Sequence, residues 1–236
     1  MKILGIDGSG LVASVAIVED DNLIGEYTTG YKKTHSQTLL PMLDELKTMV
    51  ELDLNSIDAI AVAAGPGSFT GLRIASATAK GLGLSLGCPI VSVPTVDALA
   101  FNMWGNSGII CPILDARRGQ VYTGLYQFAE DGSFQVVKEQ CAVDFKEIAA
   151  EINAKGQMVT FLGDGVPVFQ ELISSIITVP YRFAPAHMNR QHAASVATLG
   201  SIYYAKGDCE PAADHRPEYL RLSQAERERM EKEGKA

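Results

Sequence analysis

The sequence has no window of about 18 uncharged apolar residues with membrane flanks. Its nearest candidate, the small-residue run from Ile74 to Val93, is broken by Lys80 and Pro89, so no membrane span is expected. A Cys-x-x-Cys pair is also missing. The four cysteines, Cys88, Cys111, Cys141 and Cys209, lie far apart, which argues against a zinc knuckle or a redox motif and for reduced thiols. Histidine is scarce: His35, His187, His192 and His215 form no His-x-x-x-His. His187 and His192, five apart, would point about 140° away from each other on a helix, so no metal site is expected. Neither a Ser-His-Asp nor a Cys-His arrangement is readable from spacing. Nor is there a basic surplus. Twenty Lys and Arg against 28 Asp and Glu give a net charge of −8, which disfavours unaided binding to a polyphosphate backbone. The opening Met1-Lys2-Ile3-Leu4 reaches Asp7 too soon for a secretory segment, and a cytoplasmic protein is expected.

What is present is an ordinary globular composition, 47% hydrophobic and 20% charged over 236 residues. That length suits two lobes of about 100 residues each. Three strands are predicted at Ile3–Ile6, Val12–Val18 and Leu23–Tyr27, separated by a glycine-rich and an acidic turn. A helix follows over Ser36–Glu51, then a strand Ile57–Ala64, a helix Thr70–Leu86, a strand Ile90–Val93, and a helix from Pro94-Thr95 through Trp104. A weaker copy of this order starts at Ile109, with strands Ile110–Leu114, Val121–Phe128 and Phe134–Val143. A helix Phe145–Ala154, a strand Met158–Leu162 and a helix from Pro167 complete it. Asp7 and Asp115 close the first strand of each copy. The expected lobes are residues 1–104 and 105–222, with part of 189–222 packing back on the first lobe. A further helix is predicted over Asn189–Ala205, and 223–236 is a charged tail.

Chemistry could reside in two loops. In Asp7-Gly8-Ser9-Gly10, small residues would let backbone N–H groups approach a phosphate while Asp7 holds Mg²⁺ through water; the same residues also make a plain turn. In Gly65 to Arg73, Ser68 or Thr70 can cap the helix that follows, and its N-terminus is either an anion site or only a capped connection. His35 precedes the first long helix, where a capping or hydrogen-bonding role is expected.

The two long helices carry a different signal. On Ser36–Glu51, Met49, Met42, Leu46, Leu39, Val50, Leu43 and Leu40 span roughly 180°, wider than the ~100° stripe that covers one core. Helix Thr70–Leu86 has only Arg73 and Lys80 as charges, and Gly71, Ala75 and Ala79 form a strip of small residues. Either intramolecular neighbours cover both faces, or a partner does. The second reading is the stronger expectation.

Several strings then carry a resemblance. They are Ile3-Leu4-Gly5-Ile6-Asp7, His35-Ser36 with Leu39-Leu40-Pro41, and Gly65-Pro66-Gly67-Ser68-Phe69-Thr70-Gly71-Leu72-Arg73-Ile74. Asp115-Ala116-Arg117-Arg118-Gly119-Gln120-Val121-Tyr122, Gly163-Asp164-Gly165 and Pro217-Glu218-Tyr219-Leu220-Arg221 follow in order. Together they resemble the TsaB (YeaZ) family. The resemblance implies an α/β, two-lobed actin-like (ASKHA, ribonuclease H-like) fold with a reduced second lobe. It implies a non-catalytic protein that binds and activates a catalytic paralogue, TsaD, and works with the ATPase TsaE. In that system a separate synthase makes threonylcarbamoyl-adenylate from threonine, bicarbonate and ATP. TsaD, which holds a metal through His-x-x-x-His, transfers threonylcarbamoyl to N6 of A37 in tRNAs reading ANN codons. tRNA is met only through the complex.

By position, the contact for the heterodimer, or for a competing homodimer, would draw on Leu39, Leu40, Leu43, Leu46, Gly71, Leu72, Ala75, Ser76 and Ala79. Phosphate-facing candidates are Asp7, Ser9, Ser68, Thr70 and Arg73. Where relatives have Asp-Thr-Ser-Thr this chain has Asp7-Gly8-Ser9-Gly10, so ATP or ADP is expected only at the junction with the partner. Two alternatives remain: a stand-alone actin-fold phosphotransferase using Asp7 and Mg²⁺, and a metallopeptidase, for which no ligands are found.

Overall fold

Five consecutive buried residues after Lys2 make β1 (Lys2–Asp7) a strand covered on both faces, and it forms the centre of a five-stranded sheet. A computed structural model describes residues 1–31 and 34–221, and the charged tail expected at 223–236 lies outside the described residues. β2 (Ala13–Glu19) and β3 (Asn22–Thr29) extend the sheet antiparallel on one side of β1; β4 (Ala59–Gly65) and β5 (Ile90–Pro94) extend it parallel on the other. The parallel steps need crossovers, and helices α1 (His35–Met49) and α2 (Phe69–Leu86) supply them. After α3 (Thr95–Phe101) the plan repeats. β6 (Ile109–Asp115) is central, β7 (Gln120–Phe128) and β8 (Phe134–Asp144) pair antiparallel, and β9 (Val159–Leu162) and β10 (Tyr181–Phe183) pair parallel. α4 (Phe145–Lys155) and α5 (Val166–Ile176) are the second set of crossovers. The chain then returns as α6 (Ala193–Ala205) to the open face of the first sheet. This duplicated sheet order is the two-lobed actin-like plan. The second lobe keeps all five strands, and its reduction lies in the shorter helices.

Four packed layers follow. α1 and α2 press Leu39, Met42, Leu43, Leu46, Ala75 and Ala79 onto one face of the first sheet. Each buried Leu or Met there contributes about 1.5–3 kcal/mol. α6 covers the other face with Val196, Ala197 and Leu199. α4 and α5 bury Phe145, Ile148, Ile152, Phe169 and Ile173 on the second sheet. Between the lobes, α3 meets an aromatic group in which Tyr126 stacks on Phe134 at 5.4 Å.

Local chemistry sets the helix ends. Ser68 accepts a bond from the Gly71 N–H at the start of α2, and Gly87 ends it in the left-handed conformation at φ 69°. Asp144 and Gly156 do the same for α4. Several details depart from expectation. The helix predicted through Trp104 ends at Phe101, where the chain tightens into turns with the Asn102 and Met103 N–H groups donating to the Leu99 and Ala100 carbonyls, and the Asn102 side-chain amide donates to the carbonyls of Met188 and Arg190 and accepts from Ser195. Thr95 does not cap it; its hydroxyl is buried without a partner among the described residues. The last helix starts at Ala193 rather than Asn189, and the three-residue β10 had too little apolar pattern to be read.

Candidate functional site

β1 and β4 end at the same edge of their sheet and carry the two glycine-rich loops there. The Asp7–Gly10 turn sits directly against the start of α2, close enough that a Cβ on Gly71 would overlap the carbonyl of Gly8. Only glycine permits that approach. Facing these loops from the second lobe are the end of β6, from Leu114 to Arg117, and Asp164 ahead of α5. Together with Glu218–Arg221 they enclose a cavity of about 390 Å³ between the lobes.

The segment after α6 completes the wall. Glu210 pairs with Ile90 at the edge of β5, and His215 places Nδ1 2.9 Å from a Glu210 carboxylate oxygen and 3.0 Å from the Ser92 hydroxyl. The Lys80 ammonium of α2 donates to the carbonyls of Ala213 at 2.8 Å and His215 at 2.9 Å. Further on, the Glu218 N–H donates to the Ala64 carbonyl at 2.7 Å. Tyr219 lies 4.8 Å from the Phe69 ring, whose face also carries the Arg73 guanidinium at 4.0 Å. Arg221 donates to the carbonyl of Ala116 on the second lobe at 2.8 Å.

The residues expected to face phosphate divide. Ser9 and Ser68 line the cavity, whereas Asp7, Thr70 and Arg73 are not part of its wall. Asp7 is buried, and one of its oxygens accepts both the Ser9 N–H at 2.8 Å and the Ser9 hydroxyl at 2.6 Å. Burial pushes its carboxyl up to about 6, with the Ser9 bonds acting against the rise. Thr70 and Arg73 are exposed, Arg73 on the aromatic pair. Across the cavity Arg117 contacts Asp115 at 3.1 Å, and Arg117 and Arg118 take left-handed φ of 67° and 57°. Asp164 is raised chiefly by burial. The wall thus holds Asp115, Asp164 and Glu218 against Arg117 and Arg221.

Sequence reasoning missed Gln191. Its side chain lines the cavity, yet it is buried and neither amide atom has a partner among the described residues. No periodic or motif signal marks it, because it stands in the irregular stretch before α6.

The contact set expected on α1 and α2 needs correction. Leu39, Leu43, Leu46, Gly71, Leu72, Ala75, Ser76 and Ala79 are buried within the chain, packed on its own sheet and hairpin. Only Leu40 of that set reaches the surface, at 54% exposure. The outward face consists instead of Leu40, Pro41, Asp44, Glu45, Thr48 and Met49 on α1, with Thr70, Arg73, Ala77, Gly81, Leu84 and Ser85 on α2; Ile74 and Thr78 are half-buried there. Leu84 is 63% exposed. A shallow groove joins the starts of the two helices, lined by Leu11, Tyr31, His35 and Ile74.

The histidines serve local bonds: His35 to the Gly10 carbonyl at 2.9 Å, and His192 to Glu26 at 3.1 Å. Among the described residues no three metal-capable side chains converge, and no helix is long and apolar enough to cross a membrane.

Comparison with known proteins places relatives around this geometry. The family model described as TsaD, tRNA N6-adenosine threonylcarbamoyltransferase, matches residues 22–229. The tRNA threonylcarbamoyladenosine biosynthesis protein TsaB of Bacillus subtilis (strain 168) is 36% identical over 230 residues, covering 96% of each chain. TsaB of Escherichia coli (strain K12) is 36% identical over 134 residues, 56% of this chain and 58% of that protein. Among solved structures, YeaZ from Pseudomonas aeruginosa superposes with a TM-score of 0.78 at 27% identity, covering 93% of this chain and 99% of that one.

Proposed function

Because the chain belongs to the TsaB (YeaZ) family of tRNA threonylcarbamoyladenosine biosynthesis proteins, we propose that it is the non-catalytic subunit that binds and activates a TsaD paralogue in the cytoplasm. The product is N6-threonylcarbamoyladenosine at position 37 of tRNAs reading ANN codons, and tRNA is engaged through the complex. TsaE is the second partner, the chain holds no cofactor of its own, any ATP or ADP would sit only at the junction, and the chain pairs with itself when alone.

One observation carries this reading. After α1 and α2 have filled their own core, the outer surface of α2 still presents Ala77, Gly81 and Leu84 with Arg73 as its single exposed charge, and Leu40 and Pro41 stand exposed on α1 ahead of Asp44 and Glu45. Small residues at Ala77 and Gly81 let a partner's backbone come close, and Leu40 and Leu84 supply the apolar anchors. On α2 the two cations are already engaged, Lys80 on carbonyls and Arg73 on Phe69. A stand-alone phosphotransferase is disfavoured by the buried, Ser9-bound state of Asp7, which leaves it no place on the cavity wall.

Ala77→Arg tests the proposal. Capture of the purified TsaD paralogue should weaken by about thirtyfold or more, and threonylcarbamoylation of tRNA in a reconstituted system should fall with it. Capture and modification at wild-type levels would refute the interface.

A further inference from the structure

Gln191 is 2% exposed, and both polar atoms of its amide lie without partners among the described residues. Such groups are rare in folded proteins and call for an explanation. Gly10 makes the seat, since a Cβ there would overlap the amide. The side chain lines the cavity between the lobes, whose volume of about 390 Å³ is in the range of small-molecule sites.

A carboxamide offers an acceptor beside N–H donors. A phosphate or carboxylate would satisfy the nitrogen and leave the oxygen bare, whereas an amide or urea, with its own C=O beside an N–H, satisfies both. Charge narrows the choice further. Three carboxylates and two guanidiniums line the cavity, and Arg117 is already paired with Asp115, so a polyphosphate is poorly matched. A single carboxylate is well matched, because the positive N-terminal end of the 18-residue α2 opens on the cavity at Ser68 and Phe69, with Arg221, one of whose N–H groups holds the Ala116 carbonyl, also in the wall.

We propose that the interlobe cavity binds an N-carbamoyl amino acid, the ureido and carboxylate portion of the threonylcarbamoyl group, with Gln191 pairing to the urea and the start of α2 receiving the carboxylate. This rests on the threonylcarbamoyladenosine reading and names a ligand for a cavity distinct from the proposed partner face, which it meets at the first turn of α2.

The test is titration of the full-length chain with N-carbamoyl-L-threonine, followed by calorimetry and by the side-chain amide resonance of Gln191, with L-threonine and ADP–Mg²⁺ as comparators. Saturable binding that moves this resonance is expected, and Gln191→Leu should weaken it about tenfold or more without lowering the thermal midpoint. If the leucine variant does not fold, Gln191→Glu removes the donors while keeping the acceptor, and the same loss is expected. No saturable binding, equal binding by the variant, or tighter binding of ADP than of the ureido ligand would overturn the proposal. Capture of the TsaD paralogue, measured on the same preparations, separates the two ideas. Ligand binding absent with capture intact sinks the cavity proposal alone, and ligand binding present with capture absent sinks the partner reading alone.

Discussion

The two lobes share one sheet order and one pair of crossover helices, yet their helices finish differently toward water. α4 shows Lys146, Glu147, Ala150, Ala154 and Lys155 outward, and α5 shows Gln170, Glu171, Ser174 and Ser175, with Pro167 and Val168 exposed in its first turn. The matching surface of α2 in the first lobe is Thr70, Ala77, Gly81 and Leu84 with a single exposed cation, Arg73. Both lobes bury a layer of helix residues on their own sheets, so the contrast lies outside the core. α2 of the first lobe therefore turns outward a face with one charge, where α4 and α5 of the second turn several.

Substitutions to arginine break that contrast most sharply. Ala75→Arg enters the fully buried side of α2 beside Gly8, and should cost about 4 kcal/mol or more, enough to prevent folding; circular dichroism and thermal unfolding would register it. Ala77→Arg, two residues on and outward, should shift stability by no more than about 0.5 kcal/mol while costing about 2 kcal/mol of partner affinity. Ala150→Arg on α4 should alter neither, and a loss of capture there would erase the distinction between the lobes.

A smaller effect sits at the seam between them. Asp97 of α3 accepts the Tyr126 hydroxyl at 2.7 Å and lies 3.4 Å from that of Tyr203, so it ties α3 to β7 and α6. Burial pushes its carboxyl up to about 6, the two tyrosine bonds oppose the rise, and Glu139 and Glu218 reinforce it. The folded state therefore holds its proton more tightly than the unfolded chain. That contribution is fully present below the ordinary carboxylate pKa and is lost as pH rises through about 6. Buried Asp7 behaves in the same sense. Denaturant unfolding between about pH 4 and about pH 7 should show stability falling with pH, and Asp97→Asn should reduce the fall by about 1–2 kcal/mol. An unchanged slope would mean that Asp97 does not titrate as stated. Smallest are the paired helix caps: Ser68→Ala and Asp144→Ala should each cost about 1 kcal/mol in thermal unfolding, alike in the two lobes.

Much of this was legible beforehand. Strands such as β1 and β4 announce themselves by unbroken apolar runs, and α2 by the candidate cap Ser68 and its nearly uncharged length. The wide apolar arc of α1 was legible as well, but not its meaning. Leu40 and Met49, at the two ends of that arc, are the residues left exposed, at 54% and 78%, while Leu39, Met42, Leu43 and Leu46 between them enter the core. The strip Gly71, Ala75 and Ala79 misled for a related reason. Close packing on the chain's own hairpin and close packing on a partner demand the same small side chains, and spacing alone cannot tell which surface arrives. Gln191 and the Tyr219–Phe69 contact were out of reach because they join residues more than a hundred positions apart through irregular chain.

The segment that leaves α6 has a mechanical consequence. It is stitched to the edge of β5 at Glu210, to α2 through Lys80, to the end of β4 at Glu218, and to Ala116 of the opposite lobe through Arg221. Swinging the lobes apart would tear the last of these fastenings while the others hold. The segment thus works as a brace across the mouth of the cavity, anchored at three points on one lobe and one on the other.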